Sequence, residues 1–206
     1  RGNVDQDRVL WDKPFYRIRA QVQSDDGTEQ RLEAVCEISP RRRKAFFIND
    51  VRTQIGGIGG FLPTVTFLPQ DLLLFSGPPA ERRRFLDQLL SQLSSEYLVH
   101  LSQYQKIVQQ RNALLKRVGA GNDSSSALDV WDAEVADKGS FITLARLELM
   151  ETLNLSFHEE LASLGENWTD VRLQYERKSS ARSREDLRSE MKQMLRDNRE
   201  KDLILQ

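Results

Sequence analysis

The 206-residue chain has one cysteine, Cys36, and two histidines, His100 and His158. A lone cysteine cannot close an internal disulfide, and these residues have no spacing suited to a zinc site, which argues against a resident metal. No apolar run exceeds a few residues. Leu72 to Phe75 is typical and falls far short of the ~20 residues a membrane span needs. No Gly-x-x-x-x-Gly-Lys-(Ser/Thr) loop occurs, and no apolar strand ends in paired carboxylates that could hold a nucleotide's magnesium. Charge of one sign is also missing. A net charge of −1 means that any nucleic-acid contact must come from local basic patches and not from a global field. The remainder, 39% hydrophobic and 30% charged, is ordinary for a soluble protein with one sizeable core or two small ones.

The first third reads as β. Tyr16, Ile18, Ala20 and Val22 alternate with Arg17, Arg19 and Gln21, and Leu32, Ala34, Cys36 and Ile38 alternate with charged neighbours. Ser24-Asp25-Asp26-Gly27 supplies the turn of an antiparallel hairpin, because Asp-Gly favours the positive φ that such turns need. Cys36 is then a core residue. The cluster Arg41, Arg42, Arg43 and Lys44 follows in a predicted loop, where contact with DNA or solvent is expected. Ala45 to Ile48 is a further strand, closed by an Asn49-Asp50 turn, and the pattern is a meander. Gly56-Gly57-Ile58-Gly59-Gly60 has the glycines of a phosphate loop but no following Lys-Ser or Lys-Thr, so it reads as a flexible turn.

Thr64 to Leu68 is a short β-branched and aromatic run closed by Pro69, which would present Gln70 at a strand exit. Asp71 is either a helix cap or a functional acid. The pair Pro78-Pro79 fits the first turn of a helix, where amides lack intrahelical partners anyway. Arg82, Arg83 and Arg84 sit in that helix. Three consecutive residues span about 200°, so they must serve at least two surfaces. They either bind phosphates through their guanidinium forks or pair internally with Glu81, Asp87 or another segment.

The rest reads as helical. Tyr97, Leu101, Tyr104, Val108, Arg111, Leu115 and Val118 step by four and three, as in a coiled-coil seam, with Ser94 or Ser95 as cap. Gly119 to Ser126 is a loop. Leu128, Trp131, Val135, Lys138, Ile142, Ala145, Leu149 and Leu153 repeat the stepping, and apolar residues continue to Leu164, a helix of roughly 58 Å if unbroken. The two should form an antiparallel αα-hairpin. Arg111 and Asn112 fall in the seam as a polar lock between helices, and Arg146 is similar. Val171, Leu173 and Tyr175 alternate as a strand. Leu187, Met191, Met194 and Leu195 mark another amphipathic helix, and Leu203 to Leu205 reads as the start of a further strand.

The segment from Phe67 to Lys116 closely resembles the RecF family of bacterial recombination and gap-repair proteins. The resemblance lies in Pro69-Gln70-Asp71-Leu72, Gly77 to Pro79, Arg82 to Asp87, and Gln110 to Lys116. A second block, Val130-Trp131-Asp132 through Gly139 to Arg146, is also similar. Residues before Phe61 and after Trp168 match more loosely.

The resemblance implies an α+β fold: a β-rich part of an ABC-type ATPase head lobe with an inserted antiparallel helical arm. It divides the chain into a head part at 1–93, an arm at 94–200, and a return to the head at 201–206. In such proteins the phosphate loop lies upstream of Arg1, and the signature segment and magnesium-binding Asp pair lie downstream of Gln206. The chain, which does not start with Met, is therefore expected to be an internal piece. ATP and Mg would be bound mainly by segments outside it, and it would not be catalytically competent alone. Gln70 matches the Q-loop position, where a side-chain amide touches the magnesium and the attacking water; the alternative is a residue that orders a surface turn. The implied parent is a cytoplasmic, nucleoid-associated, DNA-dependent ATPase acting in DNA repair, replication, recombination and the SOS response. Its implied partners are double-stranded and gapped DNA, a RecR-type protein, and a second copy in an ATP-dependent homodimer. Arg41 to Lys44 and Arg82 to Arg84 are the candidate DNA contacts. A non-catalytic coiled-coil interaction module of another SMC-like protein is the alternative.

Overall fold

The computed structural model describes residues 5–58, 62–165, 171–177 and 179–204. The chain is α+β and divides into two compact units. One comprises residues 1–78 with 91–95, and the other 79–90 with 96–206.

The first unit is built on a four-stranded antiparallel meander, β1 (Phe15–Gln23), β2 (Glu29–Glu37), β3 (Arg43–Ile48) and β4 (Val51–Thr53), in sequential order. The expected alternation sets the register. Tyr16, Ile18 and Ala20 stand opposite Cys36, Ala34 and Leu32, which in turn face Lys44, Phe46 and Ile48. These side chains share one face of the sheet. Leu32 and Cys36 are its buried members. Gly27 takes φ +82° in the first turn. The second is a two-residue turn with positive φ at both Asn49 and Asp50, the geometry whose twist matches that of the paired strands. Asn49 reinforces it by accepting the Arg31 amide through its side chain at 2.9 Å.

A short helix, α1 (Ile55–Ile58), follows β4, and its Gly57 leaves room for the Thr53 hydroxyl, which a Cβ there would force to rotate away. Gly59, Gly60 and Phe61 of the glycine-rich segment lie outside the described residues. Thr64 to Leu68, expected as a strand, belongs to none; Val65 and Phe67 are exposed, and the Thr64 amide is satisfied by Gln92 Oε1 at 2.7 Å. β propensity marks a segment as suited to a sheet, but a ladder requires a neighbour to pair with. A 3-10 turn, Pro69–Leu72, leads into α2 (Leu73–Ser76).

The second unit is helical. It contains most of α3 (Pro79–Leu93) and α4 (Ser95–Gly119), together with α5 (Leu128–Ser163), α6 (Arg184–Asp197) and α7 (Arg199–Ile204). Pro79 opens α3, where its missing amide costs nothing. The helices α4 and α5 form the expected antiparallel hairpin: Tyr97 and His100 lie against Phe141, and Arg111 lies against Asp132. The 36 residues of α5 span about 54 Å. One apolar cluster, Leu86, Leu90, Tyr97, Ile142 and Leu149, joins α3, α4 and α5. A second, Leu114, Leu115 and Leu128, closes the loop end of the hairpin and receives Leu203.

Two β expectations in this unit are corrected. Val171 to Tyr175 is in no strand, because the Asn154 side chain does a neighbour's work. Its amide donates to the Leu173 carbonyl at 2.9 Å and its carbonyl accepts the Leu173 amide at 2.9 Å. Both hydrogen-bonding groups of Leu173 are thereby satisfied without a ladder. Leu203 and Ile204 are helical, in α7, since docking Leu203 onto the second cluster and Asp202 onto Arg111 occupies adjacent positions of one turn. Leu205 lies outside the described residues.

Candidate nucleic-acid interface

The seven basic residues singled out above divide by what holds them. In the sheet unit, Arg42 and Lys44 turn toward Asp5 in the 3-10 turn Asp5–Arg8. Asp5 is only 6% exposed. Its carboxylate is hydrogen-bonded to Arg42, lies 2.9 Å from Lys44 Nζ and accepts the Tyr16 hydroxyl at 3.1 Å. Arg42 first, then Lys44, holds its pKa far below the usual carboxylate range. These two cations are thus oriented and partly neutralised from within. Arg41 and Arg43 are exposed and have no ion-pair partner among the described residues.

The register adds cations that a linear reading did not gather. Arg43 stands opposite Glu37, and Arg52 stands opposite Phe47, which places both on the polar face of the sheet with Arg17, Arg19 and Arg31. Arg17 and Arg19 share Glu33, at 3.5 and 2.5 Å, and Arg31 meets Asp50 at 3.2 Å. Arg43 and Arg52 remain without an ion pair among the described residues. Period-two spacing from Arg17 to Arg19 was the available signal. An open hollow of about 560 Å³ beside Arg52 is lined by Lys44, Ala45, Phe46, Thr53 and Gln54.

In the helical unit, Arg84 is paired with Glu81 one turn earlier, as the internal-pairing alternative expected for it. Arg83 is exposed and its charge acts on Tyr104 of α4, while Arg82 is exposed with a partner of its own. Asp87 is not their counterion. Arg146 takes it, through Nη2 at 2.6 Å and Nε at 3.1 Å, and donates Nη1 to the Tyr175 hydroxyl at 2.9 Å; Tyr97 donates to the same Asp87 oxygen at 2.6 Å. Burial alone would lower the Arg146 pKa, but Tyr175, Tyr97 and Asp87 together hold it above its ordinary value. Arg146 and Arg111 are therefore interior locks. Arg111 Nε donates to Asp132 at 2.6 Å and Nη2 lies 3.0 Å from Asp202, while Arg199 bridges Asp132 to Asp129.

Gln70 lies within the 3-10 turn, and its side chain is outside the described residues. The turn itself has a clear cause. Pro69 opens it, and Asp71 reaches back to accept the Leu68 amide at 2.7 Å, the reach-back half of a capping box. Asp71 is thus a local cap. The residues present do not fit ATP by themselves: the glycines 56 and 57 lie in a four-residue helix after β4, with no lysine positioned behind them for a phosphate. Among the described residues, no group of three or more His, Cys, Asp or Glu side chains converges, and no helix is long and apolar enough to cross a membrane.

No family model matches the chain. Among curated proteins, it is 32% identical over 203 residues to the DNA replication and repair protein RecF of Herpetosiphon aurantiacus, covering 93% of this chain and 53% of that protein. It is 31% identical over 209 residues to the RecF of Clostridium perfringens strain SM101, covering 98% and 54%. It is 38% identical over 135 residues to that of Heliobacterium modesticaldum, covering 64% and 35%. Two solved structures align with 99% of the chain and 55% of their own length at 25% identity. They are the recombination mediator protein RecF-ATPrS in the RecFOR pathway, with TM-score 0.88, and RecF-ATP in the same pathway, with TM-score 0.85. The chain spans about half the length of the curated relatives it matches.

Proposed function

The chain belongs to the RecF family, and from that premise we propose that it forms part of a DNA-binding ABC-type ATPase acting in DNA replication and repair. In this reading the protein recognises single-strand to double-strand junctions at gaps. It dimerises around ATP and, with a RecR-type partner, promotes recombinase loading in recombinational repair and the SOS response. The observation that carries the reading is the likeness over nearly the whole chain, 93% of it at 32% identity and 99% of it at TM-score 0.88.

The division of labour is the one the family resemblance implies. Residues 1–93 contribute to the head lobe, 94–200 form the arm, and 201–206 lead back toward the head. ATP and Mg are held mainly by segments beyond this chain, since its own glycines lack the lysine that reaches a phosphate. Bound nucleotide would supply the energy and the cement of the dimer. Gln70 is the one candidate for contact with the magnesium and the attacking water. Arg41, Arg43 and Arg83, with Arg82, which has a partner within the chain, are the candidate phosphate contacts; Arg42 and Lys44 lie against Asp5 and Arg84 against Glu81, with their side chains still largely in water. The setting of such a protein is the bacterial cytoplasm, at the nucleoid.

The packing of the arm weighs against a coiled-coil interaction module. The seam of the hairpin is covered within the chain by α3, α6 and Leu203 of α7, leaving no long apolar seam for a partner helix among the described residues.

Gapped-duplex binding by the full-length protein with Arg82→Ala and Arg83→Ala tests the reading. Every phosphate that is no longer neutralised should reduce the salt slope of log K by about 0.9, so a reduction approaching 2 is expected. A salt slope equal to wild type would remove these arginines from the interface.

A further inference from the structure

Helix α6 sorts its side chains into sectors. At about 100° per residue, Arg184, Arg188, Lys192 and Arg196 form one row that drifts by only about 40° per step. Leu187, Met191 and Leu195 form a parallel row about 100° to one side of it, whereas Asp186, Glu190 and Asp197 fall on the far side of the helix. Each sector has a separate fate. Leu187 is 2% exposed, and Met191 lies against the backbone of α5, its sulfur 3.0 Å from where a Cβ on Gly139 would stand. The acids are used locally: Asp186 completes the N-terminal cap with Ser183, Glu190 meets the Ser179 hydroxyl, and Asp197 accepts from Gln193.

The basic sector is left in excess. Asp137 is the single carboxylate that Lys138, Arg184 and Arg188 share, at 3.1, 3.5 and 3.9 Å. Arg184 is further drawn down over the Phe141 ring, at 5.5 Å. Neither Lys192 nor Arg196 is within ion-pair distance of a carboxylate among the described residues; both act on Asp129 only at longer range, and Arg199 occupies that carboxylate at 2.8 Å. Glu185 is the one acid on this side of the helix, at its first turn.

We propose that the Arg188, Lys192 and Arg196 ridge of α6 is a binding site for the sugar-phosphate backbone of a nucleic-acid duplex, separate from the clusters at Arg41 to Lys44 and Arg82 to Arg84. The ridge advances about 6 Å per step, and from Arg188 to Arg196 it covers about 12 Å, the axial rise of roughly three to four nucleotides of one strand. Neutralising phosphates releases counterions, and arginine forks match phosphate oxygens in pairs. A membrane surface is the poorer occupant. An interfacial helix must insert a broad apolar side, and here Leu187 is buried, Met191 packs on Gly139 and Leu195 is half-buried, which leaves Met194 as the exposed apolar side chain of the helix. The inference rests on the DNA-binding reading above and adds a contact surface to it.

The test is equilibrium binding of the full-length protein to a fluorescent duplex across a salt series, with Arg188→Gln/Lys192→Gln/Arg196→Gln beside wild type. The expected result is a salt slope lower by about 2 to 3 and an affinity lower by roughly tenfold or more at moderate salt, with helical circular dichroism unchanged. Arg188→Lys/Arg196→Lys, which keeps the charge, should bind nearly as wild type, and that comparison serves if the triple variant loses helix. An unchanged slope in the glutamine variant, while Arg82→Ala/Arg83→Ala lowers it, overturns the α6 site and leaves the DNA-binding reading intact. Duplex binding with no salt dependence in wild type overturns both. Binding to phosphatidylserine vesicles instead of duplex, lost in the glutamine variant, also overturns the proposal.

Discussion

Asp5 in the sheet unit and Asp132 in the helical unit are both withdrawn from solvent, at 6% and 0% exposure, and both are held by basic side chains from distant positions. Their partners differ. The side chains of Arg42 and Lys44 are 60% and 47% exposed, while those of Arg111 and Arg199 are 7% and 18% exposed. At Asp5 a buried anion organises cations that stay in water and can still present charge to a ligand. At Asp132 anion and cations are buried together, so the ensemble can only hold helices. A cation's availability therefore depends less on whether it has a counterion than on which partner keeps its hydration.

Removing the anion from each site separates the two cases. Asp132→Ala leaves Arg111 and Arg199 without their common partner in a buried setting, and about 3–5 kcal/mol of stability should be lost, read by urea unfolding followed by helical circular dichroism. A loss near zero would mean that Asp129 and Asp202 suffice. Asp5→Asn should cost less, since Arg42 and Lys44 can rehydrate, and its signature is in the acid limb. Folding lowers the Asp5 pKa from 3.8, so its contribution is complete above that value and is lost as pH falls below it toward the folded pKa. Melting temperature against pH should therefore converge for wild type and variant at the acid end. Parallel curves would contradict the pairing.

The smallest effect belongs to His100. Burial first, then Lys138 and Arg184, holds its pKa below 6.5, and its ring stacks on Phe141 at 4.1 Å. Folding favours the neutral imidazole, so its contribution is full above pH 6.5 and declines as pH drops through the folded pKa. The stability of wild type relative to His100→Phe should accordingly fall on acidification from neutral pH. A constant difference would place His100 in water.

The sheet and the long helices were legible because their signals are local. Period-two runs such as Tyr16 to Val22 and three-four stepping such as Tyr97 to Val118 depend on the faces of single elements. Thr64 to Leu68, Val171 to Tyr175 and Leu203 misled for one reason: short apolar runs carry β propensity, but their outcome depends on a partner elsewhere, be it Gln92, Asn154 or the Leu114–Leu115–Leu128 cluster. The ion pairs were hidden likewise. Nothing near Arg146 in sequence points to Asp87, 59 residues away, or near Arg42 to Asp5, 37 away. The α6 ridge was within reach, since Arg184, Arg188, Lys192 and Arg196 recur every fourth residue beside the apolar positions that marked the helix.

At Gly139 the three long helices of the arm meet: a Cβ on α5 would stand 3.0 Å from Met191 of α6 and 3.3 Å from Tyr104 of α4. One missing carbon thus gauges the girth of the arm. It lies midway between the two locks, with Asp132, which holds Arg111, seven residues before it on α5 and Arg146 seven residues after it. A side chain at this position would press first on the Met191 thioether, the contact through which α6, the carrier of the basic ridge, rests on α5.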